Sequence, residues 1–430
     1  MRKEKMQGRK GYSDGKPAAD KYYVADRVLF LFLLVIYTGV MLYLFVMQCY
    51  EAPVFRSDMP DYVNKVRGIA GDYEFPYPLF FTLAKVFALA AGAPMGVAIT
   101  TALLNSLGVC VAKHYMGGLV RDGLDMEDWS RRKVMALDMA VTCMVFVLFL
   151  LGNLYSPKNT AFFGFDYAYR CMGIYTPNPI WNATYLATRP FTIICFCEAA
   201  RLLKSYREEF SWKGCVPFAV SLFLMTITKP SYTLVLVPLM GVLLLADLVR
   251  SRGGSLKNAF YLCVTMIPTG LDLLYQYFGV FTGTNVKGEE TGIGFAFAKV
   301  WSNYSKNIPL SIVMGMALTL GVMVLNWRTL RDKFIYRFAC YNYLVGAVMF
   351  LCLYEKGFRM LHANFSWGYM HGMFFMFMMS LVLVLRNTIE WRRDKRVIFL
   401  LAEWAVLAVH LVCGVNFLWY ALQGNDLSGF

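Results

Sequence analysis

The sequence predicts an all-α, polytopic membrane protein, and three observations carry that expectation. Hydrophobic residues fill 58% of the 430 positions and charged residues only 16%, against about 25% charged in an ordinary soluble domain. Apolar runs of membrane-spanning length recur along the whole chain. The Lys and Arg behind the net charge of +14 gather in alternate loops, the bias that sets orientation in a membrane. A basic excess spread in this way argues for membrane lipids and against nucleic acid as the partner.

The expected architecture is a basic cytoplasmic tail, residues 1–26, followed by one integral membrane domain, residues 27–430. Eleven spans are expected, at about 27–48, 94–112, 134–152, 186–203, 215–228, 233–249, 258–281, 309–326, 338–354, 367–385 and 397–420. With the basic loops inside, the N-terminus is cytoplasmic, the C-terminus is extracytoplasmic, and the location is the cell membrane. The first apolar run reads as a retained span, since it is long and no small-residue cleavage site follows it. Residues 79–91 are apolar but short for a span, with Pro76, Pro78 and Pro94 around them. They are expected to form a helix on the outer side, lying along the interface or re-entering partway. A full crossing there would invert every later basic loop.

The cytoplasmic loop 113–133 carries Asp122, Asp125, Glu127 and Asp128 beside Arg121, Arg131, Arg132 and Lys133, which reads as a solvated ion-pair surface rather than a metal site. Cys195 and Cys197 project apart on a helix, and Cys49 and Cys171 read as core cysteines in preference to a disulfide. Residues 282–309, with Glu289 and Glu290, are expected to be an outer loop and a candidate cover.

Four outer segments hold unusual polarity. The first, residues 51–81, carries Arg56, Asp58, Asp61, Tyr73 and Tyr77. The second ends in TPNPIWNATYLATRPF at residues 176–191, with Trp181, Asn182 and an arginine, Arg189, just inside an apolar helix; its prolines and asparagines defer regular helix to about Ala183. The third is the turn Lys229-Pro230-Ser231-Tyr232 between two short apolar runs. The fourth, residues 354–372, places Glu355, Lys356, Arg359, His362, Asn364, Trp367 and His371 among aromatics. Each has a plainer reading beside the functional one. Asp58 before Met59-Pro60 suits a helix N-cap. Arg189 and Lys229 suit side chains reaching the headgroups. The aromatic segment suits an interfacial belt. His362 and His371 lack the helical spacing of a zinc pair.

The layout of one span, a long outer loop with an early acidic residue, a short apolar helix and many further spans resembles the GT-C superfamily of membrane glycosyltransferases. Arg56-Ser57-Asp58-Met59, Phe75-Pro76-Tyr77-Pro78, Asn182-Ala183-Thr184 through Arg189-Pro190-Phe191, and Glu355-Lys356-Gly357 through Asn364-Phe365-Ser366-Trp367 also resemble segments of bacterial envelope-polysaccharide membrane proteins. The resemblance implies a GT-C-like fold and transfer of a sugar from a polyprenyl-phosphate donor to an extracytoplasmic glycan or polymer acceptor.

On that reading Asp58, with Asp61 as substitute, takes the acceptor proton. Arg56, Arg189, Lys229, Lys356 and Arg359 are the cations available to the donor phosphate. Tyr73, Tyr77, Trp181, Asn182, His362, Asn364, Trp367 and His371 are candidates for sugar and acceptor contacts. No ATP site is needed, because the activated donor carries the energy, and no cofactor is singled out. A divalent metal is left open, since Asp58 and Asp61 are separated by two residues where such enzymes often pair their acids. The competing readings are a lipid-linked polysaccharide transporter or flippase, and a non-catalytic membrane scaffold.

Overall fold

The computed structural model describes residues 21–71, 74–154, 161–162, 165–166, 176–208, 210–281, 289, 291–305, 307–393 and 396–425. In chain order the elements are α1 (Lys21–Tyr50), α2 (Met59–Arg67), α3 (Pro78–Ala91), α4 (Ala93–Arg121), α5 (Arg131–Leu150), β1 (Ala161–Phe162), β2 (Phe165–Asp166), α6 (Ala183–Ser205), α7 (Trp212–Thr226) and α8 (Thr233–Arg250). They continue with α9 (Leu256–Val264), α10 (Ile267–Phe281), β3 (Ile293–Phe295), α11 (Trp301–Tyr304), α12 (Ile308–Leu325), α13 (Trp327–Asp332), α14 (Phe334–Cys352), β4 (Leu353–Glu355), a 3-10 turn (Gly357–His362), α15 (Ser366–Arg393) and α16 (Val397–Leu422). Among the described residues the strands form two antiparallel ribbons, β1–β2 and β3–β4. The chain is an all-α membrane protein.

Eight helices among the described residues are long and apolar enough to cross a membrane: α1, α4, α5, α8, α12, α14, α15 and α16. The other three expected spans fall on helices that differ from that type for visible reasons. α6 carries Arg189, Glu198, Arg201 and Lys204 along its length. α7 is only 15 residues long. The stretch 258–281 is not one helix, because the chain turns at Thr265 and Met266 and Pro268 opens a new helix, α10.

α15 lies at the centre, with its apolar stretch buried throughout. Its run from Met370 to Met379 is aromatic and thioether on every side, as a helix surrounded by protein must be. α6 packs on α4 and α7 beside it, and α14 lies along its other flank. The short apolar helix expected near 79–91 forms as α3, but it folds back on α4 through Gly92 rather than lying alone. The approach is tight enough that Gly96 faces the backbone of Ala84 and Ala88.

α14 and α15 meet backbone to backbone. A Cβ on Gly346 would stand 2.8 Å from the Cα of Tyr369, and one on Gly372 would stand 2.7 Å from the Cα of Tyr343. Small residues permit such contact in apolar surroundings, where dispersion takes the place of a hydrophobic drive. Replacing Gly372→Val is therefore expected to lower the stability of the detergent-solubilised protein by about 1–3 kcal/mol. The control Gly241→Ala, whose added methyl meets open space, should leave the thermal midpoint unchanged or raise it.

Candidate functional site

A cavity of about 890 Å³ opens where the α1–α2 loop, α2, the start of α6, the α7–α8 turn and the β4-to-α15 segment meet. That volume is near the upper end of small-molecule sites. Its floor is organised by one amide. Asn182 is the N-cap of α6, and its Oδ1 accepts from the Tyr185 amide at 2.9 Å, from the Lys229 ammonium at 3.1 Å and from the Thr184 hydroxyl at 3.1 Å. Its Nδ2 donates to Asp58 Oδ2 at 2.6 Å and to Tyr62 Oη at 2.8 Å. The helix amide and the ammonium both need an acceptor, so the amide can face only one way.

Asp58 stands at the N-cap of α2, yet its side chain caps nothing. Ser57 Oγ takes the Met59 amide instead, at 3.2 Å. The Asp58 backbone amide donates to Trp181 O at 3.2 Å, which docks the loop onto the residue before Asn182. The carboxylate is thus released from the capping role and turned to the cavity. Burial pushes its pKa above the ordinary carboxylate value; the Asn182 bond and the Lys229 charge oppose that rise, and Asp61 adds to it.

Lys229 lies in the α7–α8 turn, where its amide closes α7 on Met225 O. It is only 7% exposed. Besides Asn182 it donates to Thr184 Oγ1 at 3.2 Å, and its ammonium sits 4.5 Å from the centre of the Trp367 ring. All of these partners are neutral, and among the described residues no carboxylate lies within ion-pair reach of it. Burial lowers its pKa to about 8; the like charge of Arg359 contributes, while Asp58 and Glu355 oppose.

The facing wall continues from Trp367. Its indole donates to Asn364 Oδ1 at 3.2 Å, Asn364 Nδ2 donates to Glu355 Oε2 at 2.8 Å, and Arg359 Nε lies 2.8 Å from the same oxygen. Ala363 takes a left-handed conformation, φ 51°, between the 3-10 turn and Asn364. That reversal brings Asn364 back over Glu355. Burial raises the Glu355 pKa, against the pull of Arg359, Asn364 and Lys229.

Of the residues singled out in the sequence, Arg56, Asp58, Asp61, Lys229 and Arg359 line the cavity, as do Tyr77, Trp181, Asn182, His362, Asn364 and Trp367. Three do not. Arg189 is fully buried away from the cavity and donates to Asn105 Oδ1 at 2.7 Å, Asn178 Oδ1 at 2.5 Å and Pro177 O at 3.1 Å. The rings of Phe149 and Phe374 flank it. It neither reaches the headgroups nor faces the cavity; it fastens the 177–178 segment to α4 and α6. His371 is buried in α15, stacked on Tyr185 at 4.1 Å. Lys356 is not in the lining, and its amide is tied to Gly292 O. Tyr73 and Cys171 lie outside the described residues.

Sequence reasoning passed over Tyr62, Thr184 and the role of Glu355. Nothing local marks Tyr62 or Thr184, whereas Glu355 is followed by two cations, Lys356 and Arg359, in the sequence. Among the described residues no group of three or more His, Cys, Asp or Glu side chains is placed to hold a metal ion.

Comparison with protein-family models, with curated proteins and with solved structures finds no match to this chain. Replacing Asn182→Ala would strip the α6 cap and leave the Lys229 ammonium short of an acceptor. The expected loss is about 1–3 kcal/mol of stability, read as a lower thermal midpoint of the purified protein in detergent.

Proposed function

We propose that this cavity is the active site of a GT-C-type glycosyltransferase, one that moves a sugar from a polyprenyl-phosphate donor to an extracytoplasmic envelope glycan or polymer. The eleven-span topology, with the cavity on the outer side of the cell membrane, belongs to the same proposal. The observation that carries it is Lys229: a buried ammonium with only neutral partners, facing an open cavity. A cation in that setting is incompletely compensated, and an anionic ligand such as a phosphate would complete it. The cavity wall supplied by α8, α10, α14 and β4 is mostly apolar, with Leu234, Leu273, Val280, Met349 and Leu353, which suits the lipid of such a donor.

The chemistry follows from the two charges held by Asn182. The acceptor hydroxyl attacks the anomeric carbon, and the bond from that carbon to the phosphate oxygen breaks. Asp58 takes the hydroxyl proton as general base. The departing lipid phosphate gains negative charge, which Lys229 stabilises. Arg56, also in the lining, is a further cation, Arg359 is already paired with Glu355, and Trp181, Trp367 and Tyr77 offer ring faces to a sugar.

With purified protein and a polyprenyl-phosphate sugar, Asp58→Asn is expected to abolish turnover while donor binding persists. Lys229→Ala should weaken donor binding by about tenfold to a hundredfold, the effect of losing a charge-assisted bond of roughly 1.5–3 kcal/mol. Lipid-phosphate binding without any turnover in the unaltered protein would favour a flippase, and absence of both properties would leave a scaffold.

The pH profile tests the assignment separately. Asp58 must be deprotonated to accept a proton, so the rate should rise through a pKa above the ordinary carboxylate value. Lys229 must be protonated to hold phosphate, so the rate should fall as pH passes about 8. The basic limb should vanish in Lys229→Ala assayed at high donor concentration, and a flat profile between those limbs' outer ends would remove both roles.

A further inference from the structure

Residues 293–297 were expected in a polar outer loop, but their pairing places them elsewhere. α14 has 19 residues, hence a length of about 28 Å, close to a hydrocarbon core of about 30 Å. It is one of the helices fit to cross the membrane, so its end at Cys352 marks the boundary on the cavity side. β4 starts at the next residue. β3 runs antiparallel to it, with Ile293 opposite Glu355 and Phe295 opposite Leu353.

The pairing then continues past the strand. Ala296 N donates to Cys352 O at 2.9 Å, and Ala298 N donates to Leu351 O at 2.6 Å. These carbonyls belong to the last turn of α14, which has no helical donors of its own. From Ile293 to Ala298 the chain therefore descends from the cavity rim to the level of the final turn of α14. At Ala298 the backbone becomes left-handed, φ 54°, and turns into Trp301. That indole is buried and stacked 4.6 Å from Phe350, which anchors the descent. Lys299 heads back, its ammonium 4.0 Å from the Tyr354 ring centre.

Side chains alternate along a strand. Gly294 faces the Tyr354 ring, while Ile293, Phe295 and Phe297 take the other face, the two phenylalanines at 76% and 77% exposure. Left in water, each ring would forgo the free energy of its burial. Exposed Leu344 and Val348 make the neighbouring α14 surface apolar as well.

We infer that residues 293–297 form a wedge in the bilayer, with Phe295 and Phe297 buried among the acyl chains of the cavity-side leaflet. Ile293, on the same face, also lines the cavity, so the wedge makes one continuous apolar surface from the acyl chains to the cavity mouth. Its pairing with β4 fixes the level of Glu355 relative to the membrane. This holds whatever reaction the cavity performs.

The test places the photo-crosslinking residue p-benzoylphenylalanine at position 295, 297 or, as the control, 127, where Glu127 is exposed and away from the cavity. The protein is held in nanodiscs of phosphatidylethanolamine and phosphatidylglycerol, irradiated and digested for mass spectrometry. Phospholipid adducts should be several-fold more abundant at 295 and 297 than at 127. Equal yields, or crosslinks joining two copies of the chain, overturn the inference. A second measurement needs no bulky probe: in the double variant Phe295→Asp, Phe297→Asp, the amides of Ala296 and Ala298 should exchange hydrogen several-fold faster, and unchanged exchange overturns it equally.

Discussion

The Asn182 amide keeps a carboxylate and an ammonium apart inside the protein. Asp58 and Lys229 carry opposite charges and occupy opposite ends of the same side chain. A direct ion pair between them would satisfy each at the other's expense, leaving neither for a ligand. The amide donates to one and accepts from the other, so both are held in place and neither is neutralised by the other. The arrangement works because Asn182 is itself fixed. Its carbonyl caps α6, and seven residues further along that helix Arg189 ties α6 to α4 and to the segment before Asn182. The buried arginine thus holds the geometry of a site it does not enter.

The second wall depends on the first through Trp367. Its ring face lies against the Lys229 ammonium and its indole nitrogen holds Asn364, which in turn orients Glu355. Trp367 begins α15, whose crossing with α14 is set by glycines that let the backbones touch. Packing in the apolar core therefore governs polar positions at the rim. A shift of α15 along α14 would move the ring from the ammonium and carry Glu355 with it.

Much of the helical layout was legible because apolar runs and proline positions act locally. The start of α6 after Asn182 and the break around Lys229-Pro230 both follow from such signals. The membership of the site was less legible because it rests on contacts between distant segments. Asp58 and Asn182 are 124 positions apart, and no periodicity links them. Arg189 was misplaced for a physical reason: an intramembrane cation suggests a wet cavity or the headgroups, but a guanidinium can also be compensated by several neutral oxygens and ring faces. Lys356 and Arg359 look equivalent in sequence, yet Lys356 follows a strand end paired to Gly292, while Arg359 sits on a 3-10 turn that returns it toward Glu355. The loop carrying Phe295 and Phe297 looked like a cover because its polar ends conceal how it pairs with α14.

The cavity's charges fall into two kinds, and the difference bears on which could hold which part of an amphiphilic ligand. Arg359 and Glu355 already neutralise each other, with Asn364 completing the carboxylate's bonds. Such a neutral, hydrogen-bonding patch suits hydroxyl groups, whose exchange for water costs little. Lys229 and Asp58 are uncompensated by contact, and burial disfavours the charged form of each. Binding an anion beside Lys229 would restore its charge and, by the same field, raise the proton affinity of Asp58 further. If a phosphate lies there, the carboxylate becomes a stronger base because the ligand has arrived. Under that reading the amide between them transmits no charge itself; it sets the separation at which one group's ligand can tune the other.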